Sequence, residues 1–329
     1  MKKVLLLWYF EEDNFGDILL YRTTRNFLAD HNIETIPYEV GQPCMEIFAE
    51  ANKTDFLLFA GGGIIESGVP NVIRHFKEDY HLLHVPYGII GLGVSDADYS
   101  QYKEQIGFWI ENAQFFYVRD EYSQHRLVEL TSSNHVLCSA DCVFHNREIL
   151  KYGYSIGNRI GINVRNLPFK NKTGDIDSEV LRTICRECKA TIVIPDASEE
   201  QWSKLVEIEN LELLNRYRFM DRSEKVEAIV NEMRGCEFVI AMRYHVILVA
   251  AVLGIMTIPI IYHEKVRSLV DSLELADLSV EINEIDKIPD KLAMLIKEKD
   301  IYLEKCVKSV ECLRMKADAM YQDIEKYFV

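Results

Sequence analysis

Two basic side chains stand close together in the run Met242-Arg243-Tyr244-His245, with no acidic residue beside them. The apolar run Phe238–Ala241 precedes them and the still more apolar Val246–Leu253 follows. A buried strand that feeds a buried helix through a short turn puts Arg243 and His245 at a helix N-terminus. Free N–H groups and the helix dipole attract anions there. The guanidinium adds a planar fork of donors for a carboxylate or phosphate, and the imidazole adds a donor or a proton. Arg165 ends a second apolar run, Ile160–Val164, and Lys265 closes Tyr262-His263-Glu264-Lys265 after a third, Met256–Ile261. Both are placed to reach the same anion. A surface salt bridge for Arg165 and a solvated helix face for Lys265 are the competing readings.

A second set of residues lies in the first half of the chain. Asn14-Phe15-Gly16-Asp17 follows the apolar stretch from Val4 and opens a helical pattern. Gly16 permits close backbone approach by a ligand. Asp17 either complements the helix dipole or meets a substrate hydroxyl as a base. Gly61-Gly62-Gly63 follows the strand candidate Phe56–Ala60, with Glu66 just beyond as a possible acid or base. Three glycines expose backbone N–H groups to an oxyanion or a sugar. No Gly-Lys-Ser/Thr follows, so the run is not a P-loop. Gly88, Gly91 and Gly93 end another strand candidate, and Arg119-Asp120 joins the strand Phe115–Val118 to a helix capped by Asp120. A carboxylate across a domain boundary is the expected partner of Arg119.

The elements that must position these residues alternate. Val4–Trp8, Phe56–Ala60, Val85–Leu92, Phe115–Val118 and Val136–Ser139 read as strands, with helices at Ile18–Asp30, Tyr99–Asn112 and Glu121–Thr131 between them. Asn146–Asn158, which carries Gly153 and Gly157, reads as a linker. A second alternation follows. Its strands are Arg159–Val164, Thr191–Pro195, Phe238–Ala241 and Met256–Ile261. Its helices are Ser178–Lys189, Glu199–Glu209, Arg222–Arg234, His245–Leu253 and Lys265–Leu273. Short apolar runs are buried strands of parallel sheets, so the fold class is α/β, with two doubly wound Rossmann-like domains facing a cleft. The divisions expected are residues 1–150, residues 151–305 and a C-terminal helix at 306–329 that packs back on the first domain.

Composition bounds the function. With 329 residues, 48% hydrophobic and 27% charged, the chain suits two globular domains. A net charge of -15 disfavours nucleic acid and anionic lipid, so an anionic ligand needs a local basic cluster. Eight scattered cysteines read as reduced thiols of a cytoplasmic protein. Cys185 and Cys188 form a C-x-x-C without a second ligand pair, so helix packing is expected and no metal site. The apolar stretch Val246–Tyr262 is interrupted by Gly254 and Pro259 and falls short of the ~20 residues that span a bilayer. It reads as a buried helix, a turn and a buried strand. The apolar start after Met1-Lys2-Lys3 lacks a cleavage site and runs into Glu11, Glu12 and Asp13, so a first strand is expected there.

Taken together, these residues resemble the polysaccharide pyruvyl transferase family. The resemblance runs through Asn14-x-Gly16-Asp17, Gly61-Gly62-Gly63, Gly91-x-Gly93, Arg119-Asp120-x-x-Ser123, Asp141, Arg165, Arg243-x-His245 and Tyr262-x-x-Lys265, in the family's order. It implies a fold similar to two-domain glycosyltransferases of the B type. It also implies transfer of the pyruvyl skeleton of phosphoenolpyruvate onto glycan or lipid-linked sugar hydroxyls, usually as a cyclic ketal, in cell-surface polysaccharide biosynthesis. Donor-anion residues then fall on Arg165, Arg243, His245 and Lys265, with Tyr244 where a Leu commonly lies. His245 and Asp17 become the candidates for proton transfer. The first domain, with Asn14, Gly16, Asp17, Gly61, Gly62, Gly63 and Glu66, becomes the acceptor side and the second the donor side. No cofactor is implied beyond the donor substrate, and work at the inner face of the membrane is expected where the acceptor is lipid-linked. The alternatives are a sugar-nucleotide glycosyltransferase of the same fold and a non-catalytic sensor of anionic ligands.

Overall fold

The computed structural model describes residues 1–9, 14–65, 68–153, 155, 157–164, 178–195, 207–217 and 219–328. The chain divides into two compact units: Met1–Glu12 with Asp17–Asn146 and Cys312–Val329, and Asp13–Gly16 with Arg147–Glu311.

The first unit is built on a six-stranded parallel sheet. Its strands are β1 (Lys3–Trp8), β2 (Glu34–Glu39), β3 (Phe56–Phe59), β4 (Tyr87–Leu92), β5 (Phe116–Val118) and β6 (Leu137–Cys138), in the order β2-β1-β3-β4-β5-β6. The central strands β3 and β4 are buried at every position, as a sheet covered on both faces requires. Strand β2 was not legible in the sequence. Its Glu-Thr-Ile-Pro-Tyr-Glu sequence is polar and half-exposed, and Pro37 cannot serve a central ladder. It stands at the sheet edge, paired with β1, where a missing N–H is tolerated.

The second unit repeats the plan. Strands β7 (Arg159–Asn163), β8 (Ala190–Val193), β9 (Cys236–Ala241), β10 (Met256–Ile261) and β11 (Val280–Glu281) form a parallel sheet in the order β11-β10-β9-β7-β8. Read from its own first strand, this is the first sheet's order with one strand fewer. The apolar stretch after residue 243 is a helix, Tyr244–Val252, a turn through Gly254 at φ +66°, and strand β10. That helix is apolar all round and its residues from Val246 to Val252 are all buried, the mark of a core helix.

Two expectations need adjustment. Asn146–Asn158 is not a uniform linker. Arg147–Lys151 is helical, the Ser155 Oγ donates to the Arg234 carbonyl at 2.9 Å, and a methyl on Gly157 would fall 2.0 Å from the Gly235 backbone. Those contacts tie Ser155 and Gly157 to the segment before β9 in the second unit. The C-terminal helix spans Lys299–Glu325, beginning before 306, and from Cys312 onward it belongs to the first unit. There Tyr321 is buried, stacks on His145 at 4.3 Å and lies 3.2 Å from Thr24 Oγ1, while Tyr117 donates to Asp323 at 2.8 Å. The expected helix Glu199–Glu209 lies mostly outside the described residues, and a further helix spans Leu211–Tyr217.

Candidate active site

In a doubly wound sheet, ligands bind beyond the carboxyl ends of the strands, where the strand order reverses direction. In the first sheet that point lies between β1 and β3. The segment after β1 leads to Asn14-Phe15-Gly16-Asp17, and the loop after β3 is Gly61-Gly62-Gly63. The helix Phe15–Asp30 begins three residues before the expected start at Ile18, and its cap is Asn14, whose Oδ1 accepts from Gly16 N–H at 2.9 Å. Asp17 sits in the first turn, half-buried, with one carboxylate oxygen beside Gly62, 3.5 Å from where a methyl there would lie. Gly61 and Gly62 adopt φ of +77° and +73°, which side-chain-bearing residues avoid. This left-handed pair lets the loop run on beside β4: Gly62 N–H donates to Gly91 O at 3.2 Å and Gly93 N–H to Gly62 O at 2.9 Å. Tyr9 and Tyr99 hold the next turn through their hydroxyls, on the Ile64 carbonyl at 2.9 Å and the Ile65 carbonyl at 2.7 Å. Glu66 lies outside the described residues.

Arg119 is a buried structural residue. Its guanidinium packs on the bare Cα of Gly93 and its Nε lies 3.3 Å from Asp120 in the same unit, so a carboxylate on its own loop is among its partners. Asp120 accepts from Ser123 N–H at 2.7 Å as the helix cap, and Ser123 Oγ accepts from Val94 N–H at 3.0 Å. Asp141, buried, caps a short turn through Val143 N–H at 2.9 Å. Through these bonds, these members of the sequence pattern hold the loops of the first unit.

In the second sheet the reversal lies between β7 and β9. The chain leaving β9 is Met242-Arg243-Tyr244-His245, and the chain leaving β7 runs through Val164 to Arg165. Arg165 itself lies outside the described residues. One residue that sequence reasoning missed ties the two strand ends together. Asn163, the last residue of β7, is buried. Its carbonyl accepts from Met242 N–H at 2.9 Å, its Oδ1 accepts from Arg243 N–H at 3.1 Å, and its Nδ2 donates to the Ile194 carbonyl at 3.0 Å. A polar residue closing the apolar strand Arg-Ile-Gly-Ile-Asn was the available signal. Fixed this way, Arg243 takes the N-cap position at φ −79° and ψ 132°, and its carbonyl accepts from Ile247 N–H at 3.0 Å to start the helix. Arg243 and His245 are both half-buried.

His245 is bounded on two sides. Its ring meets Tyr244 at 5.0 Å, nearly edge-on at 75°, and its Nδ1 edge lies against the Cα of Gly16, which by its contacts belongs to this unit. Lys265 stands in the first turn of the helix Glu264–Ser272 beyond β10, half-buried. The cap of that helix is a second missed residue: His263 Nδ1 accepts from Lys265 N–H at 3.2 Å. An accepting Nδ1 places the ring proton on Nε2. The second unit thus brings Arg243 and His245 to one helix N-terminus at the switch point, with Lys265 at the start of the helix after the neighbouring strand. Among the described residues, no three His, Cys, Asp or Glu side chains gather as metal ligands do, and no helix is long and apolar enough to cross a membrane.

The fold is similar to a putative UDP-N-acetylglucosamine 2-epimerase from Listeria monocytogenes at 11% identity and a TM-score of 0.64, covering 99% of this chain and 96% of that one. It is also similar to UDP-GlcNAc 2-epimerase from Neisseria meningitidis bound to UDP-GlcNAc, at 13% identity and a TM-score of 0.60, covering 98% and 100%. A third likeness is to S. aureus MnaA with UDP, at 11% identity and a TM-score of 0.55, covering 93% and 91%. At such identities the likeness establishes the fold alone, two α/β units each built on a parallel sheet. A search of curated proteins gives no match. The family model for polysaccharide pyruvyl transferase matches residues 14–264, from the Asn14 cap to the start of the helix that carries Lys265, and on that match the chain belongs to the polysaccharide pyruvyl transferase family, a family of transferase enzymes.

Proposed function

We propose that the chain transfers the pyruvyl group of phosphoenolpyruvate to a pair of hydroxyls on a glycan or lipid-linked saccharide, forming a cyclic ketal. The observation that carries this is the Asn163-fixed turn, which presents Arg243 and His245 together at a helix N-terminus in a chain of net charge -15. A donor with both a carboxylate and a phosphate needs several fixed cations in a protein that otherwise repels it. Arg243 and Lys265 supply positive charge, Arg165, next after Val164 in the sequence, adds a third, and His245 adds a hydrogen-bonding group.

The chemistry assigns roles. A proton is added to the methylene carbon of phosphoenolpyruvate, which makes the central carbon electrophilic. A sugar hydroxyl bonds to that carbon and gives its proton to a base. A second hydroxyl then bonds to the same carbon as the bond to the phosphate oxygen breaks, and its proton passes to the departing phosphate. Arg243 stabilises charge on the departing phosphate, as preorganised donors do for developing anions. His245 holds the phosphate or moves a proton. Asp17, beside the Gly61–Gly63 loop, is the base for the acceptor hydroxyl, so the first unit is the acceptor side and the second the donor side. The reaction belongs in the cytoplasm, which supplies this donor, with lipid-linked acceptors met at the inner membrane face.

The test is a phosphoenolpyruvate-dependent screen against lipid-linked sugars and oligosaccharides. It reads inorganic phosphate release together with an acceptor mass gain of one pyruvic acid less one water. UDP-sugars serve as control donors, because proteins of similar fold hold UDP and UDP-GlcNAc. Glycosyl transfer from a UDP-sugar without any phosphoenolpyruvate turnover would overturn the proposal.

A further inference from the structure

Gly16 and His245 lie far apart in the sequence and were assigned to opposite sides of the reaction. The structure puts them in contact within the second unit. A methyl group on Gly16 would fall 1.8 Å from His245 Nδ1, 2.5 Å from Cγ and 2.6 Å from Cε1. Those three atoms form one edge of the imidazole, so that edge rests on the bare Cα. The opposite edge, which carries Nε2, is directed away from Gly16.

We propose that Gly16 is a positioning residue for His245: the missing side chain is the seat that fixes the orientation of the ring. Neither backbone can yield to create room. His245 is in the first turn of a helix whose next seven residues, Val246–Val252, are all buried. Gly16 is held by its N–H bond to Asn14 Oδ1 at 2.9 Å, and its neighbour Phe15 is fully buried at 0% exposure. Tyr244 stands edge-on to the ring at 5.0 Å. Any β-carbon at position 16 therefore turns the imidazole out of its place. The glycine of the Asn14-x-Gly16-Asp17 pattern is thereby explained by a donor-side contact, not by a tight turn or by approach of the acceptor. The effect on turnover rests on the reading of His245 as a donor-site group, whereas the contact itself does not.

The test is a double-mutant cycle on the full chain with Gly16→Ala, His245→Ala and the combined variant. It reads phosphoenolpyruvate-dependent phosphate release, melting temperature and the imidazole NMR signals of His245, identified among the nine histidines by their loss in His245→Ala. Gly16→Ala is expected to lower turnover about a hundredfold, the usual cost of misplacing a reacting group by ~1 Å, and to shift the His245 signals. With the imidazole removed, the new methyl has room, so Gly16→Ala should change neither turnover nor melting temperature further in the His245→Ala background. Equal losses in both backgrounds, or unmoved His245 signals in Gly16→Ala, would overturn the assignment. If Gly16→Ala alone fails to fold, recovery of a wild-type melting temperature in the combined variant supports the seat and continued failure refutes it. If the wild-type chain releases no phosphate, the donor reading fails, while the NMR and melting arms still decide the role of Gly16.

Discussion

Asn163→Ala is the perturbation that separates the architecture of the donor site from its chemistry. The side chain makes two hydrogen bonds inside a buried strand end, accepting from Arg243 N–H at 3.1 Å and donating to the Ile194 carbonyl at 3.0 Å. Alanine removes both and leaves both partners without their bond. Each buried polar group abandoned this way costs about 1–3 kcal/mol. Arg243 is half-buried, so water can relieve its N–H in part. The expected loss is therefore about 2–4 kcal/mol, below the usual total of roughly 5–15 kcal/mol, and the unit stays folded. At about 2–4 °C per kcal/mol for a unit of this size, the melting temperature falls by roughly 4–16 °C. Turnover per folded molecule should fall further than stability suggests, about a hundredfold, because the Arg243 fork loses its fixed start. Asn163→Asp is the control. It keeps an acceptor for the Arg243 amide but loses the donor to Ile194, so it should be destabilised while retaining more turnover than alanine. Differential scanning calorimetry and phosphoenolpyruvate-dependent phosphate release on the same samples give both numbers. A normal melting temperature in Asn163→Ala would show that the two bonds do not hold the turn. A lowered one with full turnover per folded molecule would show that Arg243 does not depend on them.

Arg243→Lys keeps the charge but loses the planar fork, and is expected to cost about 2–4 kcal/mol of transition-state stabilisation, roughly a hundredfold or more in rate, with little change in melting temperature. Near-normal turnover would sink the donor assignment. Burial pushes the thiols of Cys44, Cys185, Cys236 and Cys306 up to about 12 and that of Cys188 up to about 11, whereas Cys312 is exposed. Since the thiolate is the reactive form, a disulfide reagent at pH 8 should modify Cys312 rapidly and these five only on unfolding. Prompt joint reaction of Cys185 and Cys188 would reopen a redox role for that pair. Turnover is expected to survive chelation and dialysis, because charge stabilisation is assigned to Arg243 and its neighbours; loss of activity that one metal alone restores would refute this.

The legible part of this molecule was the part written in apolar runs. β1, β3, β4, β9 and β10 are buried on both faces, so each appears as an unbroken apolar segment that no other element explains. The edge strand β2 and the short β11 carry no such run, because an edge needs no second covered face. Arg243 and His245 were visible because a charged pair between two apolar elements has no ordinary packing explanation. The group that fixes them, Asn163, was not, since an asparagine at a strand end is an ordinary turn residue until its three partners are known. The same limit hid the capping role of His263, which only the Lys265 N–H reveals.

The repetition of one strand order in both sheets ties these observations to function. A sheet whose second strand lies on one side and whose third lies on the other leaves a crevice at the first and third strand ends, and this chain has two. In the first unit Asp17 and the left-handed Gly61-Gly62 pair stand at that point. In the second the end of β7 and the Arg243–His245 turn stand there. The residues at the two points differ: the Asp17 carboxylate beside bare glycine backbone in one, Arg243 and His245 in the other. An acceptor hydroxyl needs a base and an anionic donor needs fixed positive charge, which is why the proposed reaction assigns the first to Asp17 and the second to Arg243. Gly16 is where the division is not clean. It opens the helix that carries Asp17, yet by its contacts it belongs to the second unit, where its bare Cα meets one edge of the His245 ring.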